Sequence, residues 1–179
     1  DGAPQLLELP VDRPRHPRNR PVGDSVNVRI DSALGTDISA LCAQEHVSTL
    51  CCLLAAWATL MMRLSGQDAL VLGQPYSVQL EYAELRDLIG CFASPIPIRL
   101  AMPARVASFR QQLRDVYAEL LQAIEHASVP LFRIVEVSGP KRSDTHNALF
   151  QTIVQLLPRA NLEVAEVSGG DLGDQSLQG

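Results

Sequence analysis

Residues 48–66 constrain the fold most, because they place an apolar run between a helix-start signal and a helix-stop signal. The Ser48 hydroxyl can cap the first turn of a helix, and Gly66 can adopt the left-handed conformation that commonly follows the last turn. The apolar run stops at Arg63, so it is shorter than the ~20 residues needed to cross a membrane. We therefore predict a helix of a globular protein, buried on most sides, and no membrane partner.

Apolar spacing predicts further helices and strands. Residues 109–124 repeat apolar side chains at the intervals of one helix face, and shorter helices are predicted at 36–44, capped by Thr36, and at 131–137. Alternating or β-branched residues predict strands at 26–30, at 69–72, ended by Gly73 and Pro75, and at 149–157. Strands that alternate with helices indicate the α/β class, with helices covering a mixed central sheet.

The 179 residues suffice for one domain with its own core. Residues 1–24, rich in proline and arginine, are predicted to be a linker, residues 25–168 a folded lobe, and residues 169–179 a flexible tail. The chain starts at Asp1 rather than at a methionine, so we expect a fragment of a longer protein. A formal net charge of -5 argues against a nucleic-acid partner.

The cysteines Cys42, Cys51, Cys52 and Cys91 show no metal-ligand spacing, and two of them lie inside the apolar helix pattern. We expect buried thiols in a reducing compartment, hence a cytoplasmic protein, and no metal site. Glycine-rich nucleotide loops, Gly-x-Ser-x-Gly and His-Glu-x-x-His are not found in the sequence. The sequence therefore offers no bound cofactor and no hydrolase nucleophile.

Four histidines, His16, His46, His126 and His146, could act as an acid or base near neutral pH, and none neighbours another. The first lies in the linker and the second in a turn between predicted helices, so solvated roles are favoured. His126 follows the long predicted helix, where an imidazolium interacts favourably with the helix C-terminus. His146 lies in a polar loop, which favours a structural role. We expect no catalytic residue here, with an acyltransferase that uses His126 or His146 as the alternative.

Five segments follow one another in a specific order: DGAP leading to LELPVDRPR within residues 1–15, SGQD and VLGQP within 65–75, IGCF through arginine at 89–99, HASVP at 126–130, and RSDTHNALFQ at 142–151. Together they resemble the C-terminal lobe of a nonribosomal peptide synthetase condensation domain. The resemblance spans roughly residues 1–157. It implies the fold of the coenzyme A-dependent acyltransferases, of which chloramphenicol acetyltransferase is one, with two similar lobes arranged in a V.

In that family, carrier-bound substrates meet in the tunnel between the lobes, where an aminoacyl or peptidyl thioester is attacked by an amine and an amide forms. The catalytic His-His-x-x-x-Asp-Gly motif belongs to the other lobe, so the resemblance implies that this chain alone is inactive. The implied partners are the N-terminal lobe of the same domain, the adjacent adenylation domain and peptidyl carrier proteins, which present phosphopantetheine. Whether an amide, an ester or a heterocycle forms stays open.

The resemblance also implies the site residues. A tunnel wall and a segment that crosses to the partner lobe correspond to Gly73, Gln74, Pro75, Gln79, Ile89, Gly90, Phe92, Ser94 and Arg99. The remaining motif residues, implied to be structural, are His126, Pro130, Arg142, His146, Asn147, Leu149 and Phe150.

The chain departs from the family pattern at four places, with Ser94-Pro95 in place of Asn-Thr, Gln79 in place of arginine, Leu131-Phe132 in place of Phe-Glu, and Ala148 in place of proline. Two interpretations stay open. The lobe can belong to a working condensation domain with altered acceptor selectivity. It can also be a truncated or degenerate, non-catalytic lobe that acts as a structural platform for the adenylation domain. A lobe separated from its partner is expected to expose an apolar patch.

Overall fold

The computed structural model describes residues 3–13, 23–102, 108–140 and 143–157. Within these ranges the chain forms, in order, α1 (Ser32–Glu45), α2 (Thr49–Ser65), β1 (Ala69–Ser77), two short 3-10 helices (Val78–Leu80 and Ala83–Leu85), β2 (Ala93–Ala101), α3 (Phe109–Glu125) and α4 (Leu131–Ser138). The mixed α/β class is as predicted. Arg142, the predicted tail at 169–179, and residues 14–22 of the predicted linker lie outside the described residues.

Both ends of α2 are as predicted. The Ser48 hydroxyl accepts a hydrogen bond from the Cys51 amide at 3.2 Å, and Gly66 has a φ of 70°. Most residues of α2 are buried or half-buried, as expected, but Trp57 and Leu60 lie on one exposed apolar face. No single helix of the described residues is long and apolar enough to cross a membrane; α1 and α2 meet that criterion only together, by length and composition, with a 105° bend between them.

Residues 26–36 differ from their prediction. α1 begins before Thr36, because the Asp31 carboxylate caps the Leu34 amide at 2.7 Å, while the Thr36 hydroxyl bonds back to the Ser32 carbonyl at 2.9 Å inside the helix. The predicted strand at 26–30 is absent, and its apolar side chains are exposed. Alternation produces a strand only where a neighbouring strand satisfies the backbone, and the described residues place none beside this segment.

β1 and β2 pair antiparallel along their whole lengths, so the prediction that Gly73 and Pro75 end the first strand is wrong. Pro75 lies opposite Pro95, and neither has an N–H group. Their pair therefore belongs to the class without ladder hydrogen bonds, and Gly73 opposite Pro97, two residues away, belongs to the same class. Because the missing donors fall where no ladder bond is made, the hairpin continues through its prolines.

The strand predicted at 149–157 is reduced to one parallel bridge between Gly73 and Ile153. The Gly73 amide donates to the Thr152 carbonyl at 2.9 Å, and the Val154 amide donates to the Gly73 carbonyl at 3.0 Å. Leu149 has a left-handed backbone conformation, with a φ of 67°, so the chain is not extended at the start of the predicted strand. The bridge places residues 152–154 beside β1, on the edge opposite β2, and makes the pairing mixed.

The core lies on one face of this sheet. Leu70 and Leu72 of β1 and Ile98 and Leu100 of β2 pack against α2 and α3 and are almost fully buried. Each such side chain contributes about 1.5–3 kcal/mol on burial. α4 also contacts β2, but none of its residues is buried.

Three of the four cysteines are buried, as expected, and Cys91 is exposed. The Cys51 thiol donates to the Leu113 carbonyl at 3.4 Å, which joins α2 to α3. Burial, and to a smaller extent the neighbouring Cys52 and Cys42, raise the pKa of the Cys51 thiol to about 11. The thiolate, which is the reactive form, is therefore disfavoured at this position.

Glu45, the last residue of α1, ties that helix to α3. Its carboxylate accepts hydrogen bonds from Arg110 and, at 3.0 Å, from the Nε atom of Arg114, while Arg110 also donates to Gln44 at 3.0 Å. The hydrogen bond from Arg110 is the largest cause that holds the pKa of Glu45 below its usual value. The two arginines are half exposed, so this cluster orients the helices more than it stabilises them.

Candidate functional site

The β1–β2 hairpin projects a largely exposed loop. We call residues 73–97 the arm and residues 81–91 its tip. Gly73 and Gln74 are buried, and Pro75 is half-buried, whereas Ile89 and Gly90 in the tip are exposed, Ile89 completely so. The predicted crossing residues therefore belong to one continuous structure, which runs from a buried stem to a solvent-exposed tip.

Gln79 organises the base of the tip. Its side-chain amide donates to the Leu85 carbonyl at 2.9 Å and to the Leu88 carbonyl at 3.1 Å. The Val78 amide bonds to the Phe92 carbonyl at 3.3 Å and closes the loop across its neck. The loop is therefore held in shape by hydrogen bonds to its own backbone. Glutamine at this position, where the family commonly has arginine, has a clear local role.

The remaining residues predicted for the tunnel and crossing segment differ in their surroundings. Gln74 is buried on the core side of the hairpin, opposite Ile96, whereas Ser94 and Arg99 on β2 are exposed. Phe92 is half-buried and lies against Gly90, where an added Cβ atom would come within 2.9 Å of the ring. The small residue at position 90 thus allows the ring to fold back over the loop.

Phe150 packs onto the backbone at the stem of the arm. A Cβ atom built on Gly73 would lie 2.6 Å from Cε2 of Phe150 and 3.0 Å from Cγ1 of Ile153, so only glycine admits the ring at this distance. The Phe150 amide bonds to the Ala148 carbonyl at 2.9 Å across Leu149. This three-residue turn and its positive φ are uncommon for a branched side chain and aim the aromatic ring at Gly73.

His146 and Asn147 precede that turn in a polar loop. Nδ1 of His146 lies 2.7 Å from the Thr145 hydroxyl, and the Asn147 carbonyl accepts a hydrogen bond from Gln151 at 2.8 Å. His146 is half-buried at the wall of a cavity of about 560 Å³, which is also lined by Trp57. These hydrogen bonds are local to the loop.

His126 ends α3. Its Nδ1 atom lies 2.8 Å from the Gln122 carbonyl, and because a carbonyl only accepts, Nδ1 carries the proton. The side chain is exposed, and the turn that it begins leads to Pro130, which precedes the first residue of α4. These contacts place His126 between α3 and the turn that leads to α4. Within the described ranges, no group of three or more histidine, cysteine, aspartate or glutamate side chains is placed to hold a metal ion.

The sequence interpretation missed two glutamines that hold the N-terminal segment. Gln67 and Gln151 bond to the backbone of residues 5–8. The partners are at least 59 residues apart in the chain. A side chain that bonds to a distant backbone leaves no periodic or local pattern, so no signal in the sequence pointed to this contact.

An exposed apolar groove runs along α2. Trp57 and Leu60 line one wall and Ile153 and Val154 the other, around a volume of about 410 Å³. The indole nitrogen of Trp57 donates to the Thr152 hydroxyl at 2.9 Å and fixes the two walls together. An apolar groove open to solvent is the kind of surface that another part of a protein covers.

Comparison with protein families matches residues 1–176 to the model described as condensation domain. The chain is similar to malpibaldin synthetase of Mortierella alpina, with 34% identity over 152 residues, which is 84% of this chain and 3% of that protein. It is also similar to phosphinothricin tripeptide synthetase PhsB of Streptomyces viridochromogenes, with 30% identity over 181 residues, which is 96% of this chain and 15% of that protein. The chain thus spans a small part of these relatives.

Two solved structures share the fold. Holo-AB3403, a four-domain nonribosomal peptide synthetase bound to AMP and glycine, superposes with a TM-score of 0.83 at 25% identity, over 90% of this chain and 12% of that one. The X-domain from teicoplanin biosynthesis gives a TM-score of 0.79 at 24% identity, over 85% of this chain and 33% of that one. The chain therefore covers a third or less of each of these structures.

Proposed function

Because the chain belongs to the condensation-domain family of nonribosomal peptide synthetases, we propose that it is the C-terminal lobe of such a domain. The lobe helps to form the tunnel in which a carrier-bound aminoacyl or peptidyl thioester and an acceptor amine are joined by an amide bond. Its partners are the N-terminal lobe, the adjacent adenylation domain and carrier proteins, whose phosphopantetheine arms bring the substrates. The lobe itself binds no cofactor.

The arm is the observation that carries this proposal. Its stem is anchored by the core and by Phe150 on Gly73, while its tip presents Tyr82, Leu88 and Ile89 to solvent. Exposed apolar side chains on a loop shaped by its own hydrogen bonds are suited to docking onto another surface. The motif that the resemblance places at the crossing to the partner lobe, residues 89–99, begins in the tip and continues into β2. In this proposal the arm therefore crosses the gap and forms the tunnel floor.

The contribution of this lobe to catalysis is positioning. His126 and His146 are engaged with the Gln122 carbonyl and the Thr145 hydroxyl, respectively, and neither bonds to a carboxylate or a cysteine among the described residues. Holding two substrates in a reactive geometry can supply much of the rate acceleration of a bimolecular reaction. The acid–base group of the reaction is in the other lobe, as the resemblance implies.

We expect His126→Asn and His146→Asn to leave amide formation within about threefold of the unsubstituted two-lobe domain, because a general acid or base contributes typically about 10²–10⁴-fold. Single-turnover transfer between two loaded carrier proteins measures the rate. Thermal unfolding of each variant serves as the control for folding. A loss of 100-fold or more with unchanged unfolding would make that histidine a catalytic residue and contradict the assignment.

A further inference from the structure

The N-terminal segment at residues 5–8 lies between two glutamine side chains. Oε1 of Gln151 accepts a hydrogen bond from the Leu7 amide at 2.8 Å, and Nε2 of Gln151 lies 3.5 Å from the Gln5 carbonyl. On the other side, Oε1 of Gln67 accepts a hydrogen bond from the Glu8 amide at 3.0 Å, and Nε2 of Gln67 donates to the Leu6 carbonyl at 3.0 Å. The odd-numbered residues bond to one glutamine and the even-numbered residues to the other.

Residues 5 and 6 form a bend, and the Leu9 amide donates to the Leu7 carbonyl at 3.1 Å. In this curved segment, each glutamine side chain binds one N–H group and one carbonyl group of the backbone. The glutamines recognise the backbone and not the side chains of residues 5–8, because all the bonds involve amide or carbonyl groups of the main chain. We call this arrangement the glutamine clamp.

The two glutamines of the clamp lie near the start and near the middle of β1. Gln67 follows Gly66, the glycine that ends α2, and it leads directly into β1. Gln151 follows Phe150, whose ring lies on Gly73, and its Nε2 atom also donates to the Asn147 carbonyl at 2.8 Å. The N-terminal segment is therefore held in a fixed position relative to β1, the strand in which the arm begins.

Apolar contacts also hold the N-terminal segment against the lobe. Leu6, Leu7 and Leu9 form one wall of the cavity of about 560 Å³, and Trp57 and Met61 of α2 form the other. Leu7 also packs against the hydrophobic core. Burial of these leucines against apolar residues of α2 stabilises the segment next to the lobe. The hydrogen bonds to the glutamines determine the position of the segment along the lobe.

We propose that Gln67 and Gln151 are positioning residues for amide formation. They fix the point at which the chain that joins the two lobes meets this lobe, and so they set the spacing of the lobes across the tunnel. They touch no substrate. This inference rests on the proposed function, because it needs an upstream lobe whose position matters.

The test uses the full two-lobe domain with Gln67→Met and Gln151→Met together, which keep the side-chain bulk and remove the hydrogen bonds. The control is Gln122→Met on α3, an exposed glutamine whose side chain makes no hydrogen bond within the described residues. Three quantities are measured for each protein: hydrogen exchange at the amides of Leu7 and Glu8, the thermal unfolding midpoint, and the rate of single-turnover amide formation.

The clamp predicts that exchange at Leu7 and Glu8 becomes at least tenfold faster and amide formation at least tenfold slower in the double variant, while the unfolding midpoint stays close to that of the control. A slower reaction is the readout that a merely local structural role would not give. Faster exchange with an unchanged rate would overturn the positioning role, and unchanged exchange would overturn the clamp itself. No product from the unsubstituted domain would instead overturn the proposed function, and the positioning role with it, while the exchange data would still decide the clamp.

Discussion

Replacing Phe150 with alanine is expected to lower the free energy of unfolding of this chain by about 3–5 kcal/mol, the range for buried aromatic side chains. Phe150 is 7% exposed, and its ring, next to Ile153, fills the space over Gly73. Its loss would leave a cavity at the stem of the arm and free the turn at Leu149. Urea unfolding, followed by the fluorescence of Trp57, measures the change.

Phe132→Ala is the matched control, because Phe132 on α4 is 72% exposed. Its removal should change stability by less than about 0.5 kcal/mol. Gly73→Ala approaches the same contact from the other side and should cost about 1–3 kcal/mol through overpacking, and less when Phe150 is leucine. Equal effects of the two phenylalanine substitutions would show that Phe150 does not hold the stem.

Replacing both Leu88 and Ile89 with serine is expected to slow amide formation by the two-lobe domain about 100-fold, the loss that a misplacement of roughly 1 Å can cause. These side chains are about half and fully exposed, respectively, in this lobe, so the substitutions remove no core contact. In the proposed function they meet the partner lobe, and their loss lets the arm move from the tunnel floor. Single-turnover amide formation and thermal unfolding are measured together.

Val26→Ser with Val28→Ser provides the control, since both valines are at least as exposed as Leu88 but lie outside the arm. This pair should leave the rate within about twofold, because exposed substitutions away from a contact rarely matter. An equally small effect at Leu88 and Ile89 would contradict the crossing role of the arm. A large loss of folding stability in the arm variant would mean instead that the tip supports the lobe itself.

Local signals predicted the helices well. The caps Ser48 and Gly66 set both ends of α2. The apolar face of residues 109–124 predicted the end of α3 to within one residue. α4 likewise begins after Pro130 as predicted. In each case the information lies within a few residues of the element. Helix signals are local because helix hydrogen bonds span only four residues.

The strands were predicted less well, because pairing depends on distant residues. Pro75 argued against a longer first strand, yet it falls at a position without ladder hydrogen bonds, which only the register reveals. Residues 26–30 alternate in polarity but have no neighbour among the described residues. The same limit applies to the site. The resemblance pointed to residues that lie in the arm, whereas the clamp formed by Gln67 and Gln151 depends on contacts that no pattern encodes.

Single-turnover amide formation tests the central claim most directly. This chain alone, and the same chain joined to the upstream lobe of its condensation domain, are each mixed with a carrier-bound aminoacyl donor and a carrier-bound acceptor, and the dipeptidyl product is measured. The account predicts product from the joined lobes and none from this chain alone. Product from this chain alone would contradict it, and no product from either protein would contradict a catalytic role and leave the lobe as a structural platform.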